Sequence, residues 1–356
     1  MRIAQIAPLY ESVPPRYYGG TERVVAFLTD ELVRQGHEVT LFASSDSVTD
    51  ARLVPARCQS LRLVPGSIDS LAHHVVMLEE VSRHRDEFDV LHFHVDYLHF
   101  PWSRRLRWPN VTTLHGRLDV PDLQPVYDEF GDMPVVSISD AQRLPLPQAD
   151  WQATVHHGLP PDLFTFREAP GAYLAFLGRI SPEKRVDRAV EVARRTGLPL
   201  RVAAKIDRAD QAYFDEEIAP LFTLPFVEYL GEIGEAEKDE FLGNARALLF
   251  PIDWAEPFGL VMIEAMACGT PVIAWRGGSV DEVMADGITG FVVDTLEEAI
   301  DVTGRVHTLS RRLCRRHFDT SFTVAHMAAG YLPVYERLIA GPHHALAGWD
   351  AAGQRE

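Results

Sequence analysis

The chain has 356 residues, of which 34 are Lys or Arg and 51 are Asp or Glu, so its formal net charge at pH 7 is -17. Hydrophobic residues make up 46% and charged residues 24%, which is typical of globular proteins and excludes a generally disordered chain. The acidic excess argues against non-specific nucleic-acid binding, because phosphates would be repelled, but it leaves room for a local basic pocket.

The apolar runs and the cysteines bear on the compartment of the protein. No apolar run is long enough to predict a membrane-spanning helix, and the one near the N-terminus is too short for a signal peptide. Cys58, Cys268 and Cys314 are too widely spaced to predict a disulfide framework or a zinc site. We therefore expect a cytoplasmic protein without stable membrane insertion.

Short apolar strands alternate with amphipathic helical patterns through the first half of the chain. Apolar residues recur at helical spacing from Val24 to Val33, Gly36 ends this pattern, and a longer helical pattern covers 68–83. Strands are predicted at 3–7, 39–42, 90–93, 111–114, 135–138 and 153–155. The alternation predicts parallel βαβ units with right-handed crossovers.

The alternation pauses in a proline-rich stretch at 158–171 and then begins again. It predicts an α/β fold of two doubly wound domains, 1–160 and 171–340, with a flexible tail at 341–356. The last helical patterns, at 296–339, contain no strand and are expected to pack back on the first domain. A ligand is expected where the carboxyl ends of the two sets of strands face a shared cleft. Further strands are predicted at 173–177, 200–204, 227–230, 247–251 and 270–274.

The strongest motif runs from Glu256-Pro-Phe258-Gly259 through Glu264 to Cys-Gly-Thr-Pro. It predicts a loop and then a helix that begins near Gly259 and ends before Gly269. Carboxylates on either side of the helix start, Glu256 and Glu264, can hold the hydroxyls of a sugar and a ribose. An isolated pair of this kind more often has no binding role: one glutamate interacts favourably with the helix dipole, and the other lies on a solvated face. The first backbone N–H groups of the helix predict an anion site, formed by Gly259, Leu260 and Val261.

A second motif, Gly178-Arg179-Ile-Ser-Pro-Glu-Lys184-Arg185, follows the first strand of the second half. Pro182 and Glu183 predict the first turn of a helix. Arg179 and Lys184 would then flank the strand-to-helix loop, where two cations can neutralise a diphosphate. Surface cations at an ordinary helix start are the alternative.

Weaker signals come from the first half of the chain. In Tyr18-Gly19-Gly20-Thr21-Glu22, the glycines can approach a phosphate closely; alternatively, Thr21 caps a helix after a flexible loop. His115 ends an apolar strand at the expected cleft, although a lone histidine is more often structural.

A competing constellation is His92-Phe-His94-Val-Asp96, whose polar residues alternate onto one face of a strand. It is similar to part of a metallohydrolase site. Tyr97 stands where a further histidine would be needed, and no fixed spacing supports His156 or His157 as substitutes. A metal-dependent hydrolase therefore stays an alternative, while the expectation is a site without metal.

The two motifs of the second half together resemble the retaining glycosyltransferases of family 4, which have the GT-B fold. Glu256 and Glu264 match the family's Glu-x7-Glu spacing. Residues of the second motif match its Gly-Arg-x4-Lys-Gly pattern, with Arg185 in place of the last glycine: Gly178, Arg179 and Lys184. The later stretches Gly277-Gly-Ser-Val-Asp-Glu282 and Asp286-Gly-x-x-Gly290 also fit.

This resemblance implies a metal-independent hexosyltransferase that needs no cofactor. Its donor would be a nucleotide sugar of the UDP-glucose or GDP-mannose type, and its acceptor a small molecule, a glycan or a lipid-linked compound. Glu256 would position sugar hydroxyls, Glu264 would hold the ribose, and His115 would hold the sugar from the opposite domain, with Asp119 near it.

The resemblance extends to further donor contacts, and two more alternatives stay open. Arg179 and Lys184 would stabilise the leaving diphosphate. A GT-B epimerase shares the fold but lacks the Glu-x7-Glu arrangement, and a nucleotide-sugar-binding protein without turnover would not need both glutamates. The other expected donor contacts are Gly19, Gly20, Lys205, Ile233, Phe258, Gly259, Leu260, Val261 and Glu264.

Overall fold

The computed structural model describes residues 1–16, 19–64 and 68–341. The predicted flexible tail therefore lies outside the described residues beyond Gly341, as does Tyr18 of the paired-glycine motif.

The first half of the chain forms a seven-stranded parallel sheet in the order β3-β2-β1-β4-β5-β6-β7. The interior strands are buried along most of their length, which explains their continuous apolar runs. The strands are β1 (Arg2–Ile6), β2 (Glu38–Ala43), β3 (Arg52–Pro55), β4 (Val90–Phe93), β5 (Asn110–Thr113), β6 (Pro134–Ser137) and β7 (Asp150–Thr154). The helices are α1 (Gly20–Arg34), α2 (Ser70–His84), α3 (Phe100–Leu106), α4 (Gln124–Glu129) and α5 (Asp140–Arg143).

The second half forms a six-stranded parallel sheet in the order β10-β9-β8-β11-β12-β13. Its strands are β8 (Tyr173–Ile180), β9 (Leu200–Ile206), β10 (Val227–Gly231), β11 (Ala245–Phe250), β12 (Val272–Trp275) and β13 (Gly290–Val293). Its helices are α6 (Val186–Thr196), α7 (Gln211–Tyr213), α8 (Glu235–Gly243), α9 (Leu260–Ala267), α10 (Val280–Val283), α11 (Leu296–Arg305) and α12 (Arg311–Ser321), and α13 (Val324–Ala340) is the last helix of the described residues.

The sequence analysis missed the strands β3 and β13, each of which is the last strand at one edge of its sheet. Each has only four residues, too few for a clear alternation. In β3 the side chains are half-buried or exposed, because an edge strand has a neighbour on one side only. Both strands extend sheets that the sequence had predicted.

The last helix, α13, packs on the first sheet although it follows the second one in the chain. It contacts α1, β4 and β7. Its buried Tyr335 hydroxyl lies 2.7 Å from His92 Nδ1, and its Tyr331 hydroxyl lies 2.8 Å from Thr113 Oγ1. Helix α13 therefore ties the two halves of the chain together, while the domain boundaries drawn from the sequence stay predictions.

Within the described ranges, no helix has both the length and the apolar character needed to cross a membrane.

Candidate active site

A cavity of about 660 Å³ lies between the carboxyl ends of the two sheets. This is the place that the sequence predicted for a ligand. Residues from both halves of the chain line it. The predicted site residues among them are Gly19, Gly20, His115, Arg179, Lys184, Lys205, Ile233, Glu256, Phe258, Gly259, Leu260, Val261 and Glu264. The structure thus brings together residues that the sequence could only assign to separate motifs.

The helix α9 presents its N-terminus to this cavity. It begins at Leu260 after Gly259, whose φ of 77° favours glycine, and a Cβ at that position would lie 2.8 Å from the Met262 side chain. The N–H groups of Leu260 and Val261 precede the first hydrogen bond of the turn, from Met262 N to Gly259 O. The end of the helix at Ala267, before Gly269, agrees with the predicted bounds. The start of α9 can therefore bind an anion.

The loop that carries Glu256 is held by the later Gly-Gly-Ser stretch. Gly278 has a φ of 57°, and a Cβ there would lie 2.1 Å from the Glu256 carbonyl oxygen, so only glycine fits. The Ser279 N–H donates to that carbonyl at 2.9 Å, and its hydroxyl donates to the Phe258 carbonyl at 2.9 Å. The stretch that the sequence analysis noted only as a family match therefore fixes the backbone on both sides of Pro257.

Lys184 and Glu256, to which the sequence gave separate tasks, are in direct contact. The Lys184 ammonium donates to Glu256 Oε2. The Trp254 indole donates to the same oxygen at 2.9 Å, and the ammonium lies 4.9 Å from the centre of the indole ring. Trp254 was not predicted as a site residue. Its position two residues before Glu256 is the only sequence feature that could have indicated this role. The three side chains form one unit at the mouth of the α9 anion site.

Arg179, the other predicted phosphate ligand, lies among three carboxylates. It donates to Glu183 at 2.5 Å and lies 3.7 Å from Asp207 and 3.6 Å from Asp210. The prediction that a helix begins at Pro182 is wrong, because 182–184 form a single 3-10 turn. Arg185 then takes a left-handed conformation, with a φ of 52°, and α6 begins only at Val186.

The paired glycines begin a helix, as predicted, but the capping alternative is wrong. The N-cap of α1 is Gly19, and Thr21 lies inside the first turn. Gly20 approaches the second domain, because a Cβ at that position would lie 3.5 Å from the Leu260 side chain. The first turn of α1 therefore faces the first turn of α9 across the cavity.

Two family models match this chain. One, described as Glycosyltransferase Family 4, matches residues 18–179, and one described as Glycosyl transferases group 1 matches residues 166–308. The chain belongs to glycosyltransferase family 4. The two matches divide this transferase much as its two sheets do. They confirm the family that the Glu-x7-Glu and Gly-Arg motifs predicted.

Relatives and solved structures cover nearly the whole transferase. The D-inositol 3-phosphate glycosyltransferase of Mycolicibacterium smegmatis is 28% identical over 380 residues, which cover 90% of this chain and 87% of the relative. A glycosyltransferase involved in avilamycin A biosynthesis has a TM-score of 0.74 at 24% identity, covering 96% of this chain and 98% of its own. An Anabaena protein, HepE, solved with UDP and glucose, has a TM-score of 0.72 at 17% identity, covering 94% and 99%. The likeness of these structures confirms the predicted GT-B fold.

Glu264 of the transferase forms two ion pairs that the sequence did not reveal, one of them with the opposite domain. Its carboxylate is 1% exposed, and its Oε1 lies 2.8 Å from Arg23 of α1 and 3.4 Å from Lys238 of α8. Arg23 also pairs with Glu235 at 3.0 Å. Burial acts to raise the pKa of Glu264, but Lys238 and Arg23 outweigh it and hold the pKa below its ordinary value. Glu264 is therefore ionised at neutral pH.

His115 belongs to a chain of buried hydrogen bonds. The side-chain amide oxygen Oε1 of Gln5 lies 2.8 Å from His94 Nε2, and His94 Nδ1 lies 2.8 Å from His115 Nε2. Because an amide oxygen can only accept, His94 donates from Nε2 and accepts at Nδ1 from His115. Burial lowers the pKa of His115 to about 3, so the ring is neutral and its Nδ1 carries a lone pair. No described residue donates to that atom.

The alternative metallohydrolase constellation is not assembled in the described part of the chain. His92 uses both ring nitrogens on protein hydroxyls, those of Tyr335 and Thr113, each at 2.7 Å. His94 likewise uses both of its nitrogens. Among the described residues, no group of three His, Cys, Asp or Glu side chains is arranged to hold a metal ion. The structure therefore gives Asp96 no role as a metal ligand.

The remaining expected contacts differ in their surroundings. Ile233 is buried at the cavity wall, and Lys205 pairs with Asp207 at 2.6 Å. Phe258 packs edge-on against His157, with ring centres 4.9 Å apart. Asp119 is not a lining residue; it forms an exposed ion pair with Arg117 at 2.7 Å.

Proposed function

We propose that this transferase moves a hexosyl group from a nucleotide diphosphate sugar to a hydroxyl acceptor, with retention of anomeric configuration and without a metal ion. One observation carries the proposal. A cation and a carboxylate, Lys184 and Glu256, meet at the N-terminus of α9 inside the cleft. This arrangement gives a diphosphate and a sugar adjacent binding groups.

The diphosphate would lie against the free N–H groups of Leu260 and Val261, with Lys184 beside it. Its arrival gives the ammonium a doubly charged partner in place of Glu256. The carboxylate then becomes available to accept hydrogen bonds from sugar hydroxyls. As the bond to the sugar breaks, negative charge grows on the diphosphate, and fixed donors already aimed at it lower the barrier. The sugar passes through an oxocarbenium-like state, as in hydrolysis at the same bond.

The ribose would bind to Glu264. Arg23 and Lys238 both contact Oε1, which leaves Oε2 to accept hydrogen bonds from ribose hydroxyls. These contacts do not change during the reaction, so they contribute to donor affinity rather than to turnover. The base would lie towards Lys205 and Ile233.

The donor is of the UDP-glucose or GDP-mannose type. The structure of HepE with UDP and glucose supports a uridine nucleotide in this fold. A thermal-shift screen of UDP, GDP, ADP and TDP decides between the bases. The nucleotide that fits, at about 100 times its dissociation constant, should stabilise the protein by about 2.7 kcal/mol.

The proposal is tested by giving the purified chain the selected nucleotide sugar and following the anomeric protons by NMR. Transfer with retention should yield a product with the anomeric configuration of the donor, together with free nucleoside diphosphate. An inverted product would refute retention, and a changed sugar without a transfer product would indicate an epimerase.

A further inference from the structure

Each domain contributes one wall of the cleft, and we call the wall of the second domain, with α9 and Lys184, the donor wall. The wall of the first domain differs from it in charge. From this difference we propose that the acceptor is an uncharged polyhydroxyl compound held by Asp96, and not a phosphorylated one. The inference rests on the proposed function and names the acceptor class for the same site.

Asp96 lines the cavity from the side of the first domain. It follows β4 at the carboxyl edge of the first sheet and begins the 3-10 turn Asp96–His99. It lines the same cavity as His115 and Glu256. Its φ is 50°, a left-handed conformation that few residues other than glycine adopt and that aspartate tolerates. Asp96 therefore lies in a turn at the carboxyl edge of the first sheet, beside the cavity.

The carboxylate of Asp96 has open hydrogen-bonding capacity. Although it is exposed to the cleft, the surrounding protein strips enough hydration to raise its pKa to about 6. It is therefore mostly ionised at pH 7. Across the described ranges, no residue forms a hydrogen bond or ion pair with it. A carboxylate in this state can accept from two hydroxyls of a polyol.

Positive charge on this wall is already neutralised. Among the described residues of the first half, the only Lys or Arg lining the cavity are Arg23 and Arg62. Arg23 pairs with Glu264 and Glu235, and Arg62 pairs with Glu11 at 2.6 Å. Burial lowers the pKa of the histidines on the wall, which are neutral at pH 7: His74, His94, His115 and His157.

A phosphorylated acceptor would therefore meet net negative charge. Asp96 and Glu22 line this side of the cavity, and a phosphate monoester carries up to two negative charges at pH 7. An uncharged sugar or polyol avoids this repulsion. Two partly exposed aromatic rings on the same wall, Tyr10 and Tyr97, offer flat surfaces to the apolar face of a sugar ring.

The test uses acceptor pairs that differ only in a phosphate group. Nucleoside diphosphate release from the selected donor is measured with myo-inositol and its 3-phosphate, glucose and glucose 6-phosphate, and mannose and mannose 6-phosphate. In any pair that raises release above acceptor-free hydrolysis, the uncharged member should have the lower KM. Asp96→Asn should raise that KM by about tenfold, since a hydrogen bond to a charged group is lost.

Further variants separate acceptor binding from general damage to the fold. Asp96→Glu should recover part of the lost affinity, and calorimetry should give nearly the same nucleotide affinity for Asp96→Asn as for the unchanged chain. Asp122→Asn, an exposed change in the same domain outside the cavity, should leave activity unaltered.

Three results would overturn the inference: a lower KM for the phosphorylated member of a pair, no stimulation by any uncharged acceptor, or an unaltered acceptor KM in Asp96→Asn. Absence of both nucleotide binding and donor turnover would instead refute the proposed function itself.

Discussion

The two walls of the cleft are built on similar parallel sheets but differ in the charged groups that face the cavity. The wall of the second domain has the α9 N-terminus and the cations Arg179 and Lys184, which are paired with carboxylates. The wall of the first domain has neutral histidines, carboxylates, and arginines that are already paired. In a chain with a net charge of -17, we expect this difference to direct the phosphates of the donor to one wall and the hydroxyls of the acceptor to the other.

Removing the cation of the donor wall should have the largest effect. Lys184→Ala should lower kcat, and not only donor affinity, by an amount on the order of 2–4 kcal/mol in transition-state stabilisation. Steady-state kinetics measure this loss, with Arg194→Ala at an exposed position of α6 as the control. An unchanged kcat would remove Lys184 from the mechanism.

The two glutamates should fail in different ways. Glu256→Gln should reduce kcat by about ten- to a hundredfold while the affinity for free nucleoside diphosphate stays nearly constant, because its contacts tighten only during transfer. Glu264→Gln should mainly raise the donor KM and weaken nucleotide binding. Calorimetry beside kinetics separates the two, and the opposite pattern would mean that the donor lies the other way round in the cleft.

The acceptor wall should respond to pH. Because the pKa of Asp96 is raised to about 6, its carboxylate becomes protonated as the pH falls through that value, and the acceptor KM should rise. At pH 5 about a tenth of Asp96 stays ionised, so the rise reaches at most about tenfold. The neighbouring His94 and His115 stay neutral throughout, whereas burial also raises the pKa of Glu22. Asp96→Asn should flatten the profile; a profile that persists in this variant would point to Glu22.

Chelation should have the smallest effect. Excess EDTA should leave kcat unaltered, because Lys184 and the α9 N-terminus supply the positive charge that a metal would provide. EDTA saturated beforehand with calcium serves as the control for ionic strength. Loss of activity that zinc or manganese restores would instead support a metal-dependent reaction with His92, His94 and Asp96 as candidate ligands.

The sequence by itself determined the order of strands and helices along the chain and many of the residues that line the cleft. Apolar runs and helical periodicity predicted most strands, and Gly259 and Gly269 gave the bounds of α9, because these signals are local. The residues to which the motifs assigned donor contacts line one cavity. Local signals failed at the short edge strands β3 and β13 and at Arg185, whose left-handed conformation delays the start of α6.

Only the tertiary structure decided which of these side chains touch each other. His94 and His115 are 21 residues apart, Lys184 and Glu256 are 72 apart, and Arg23 and Glu264 are 241 apart. The first two contacts depend on how strand ends are ordered within one sheet, and the third depends on how the two halves of the chain face each other. No local periodicity records such long-range packing. The sequence therefore fixes which chemical groups are available, and the packing of the two sheets fixes their partners, their charge states and the task that each can perform.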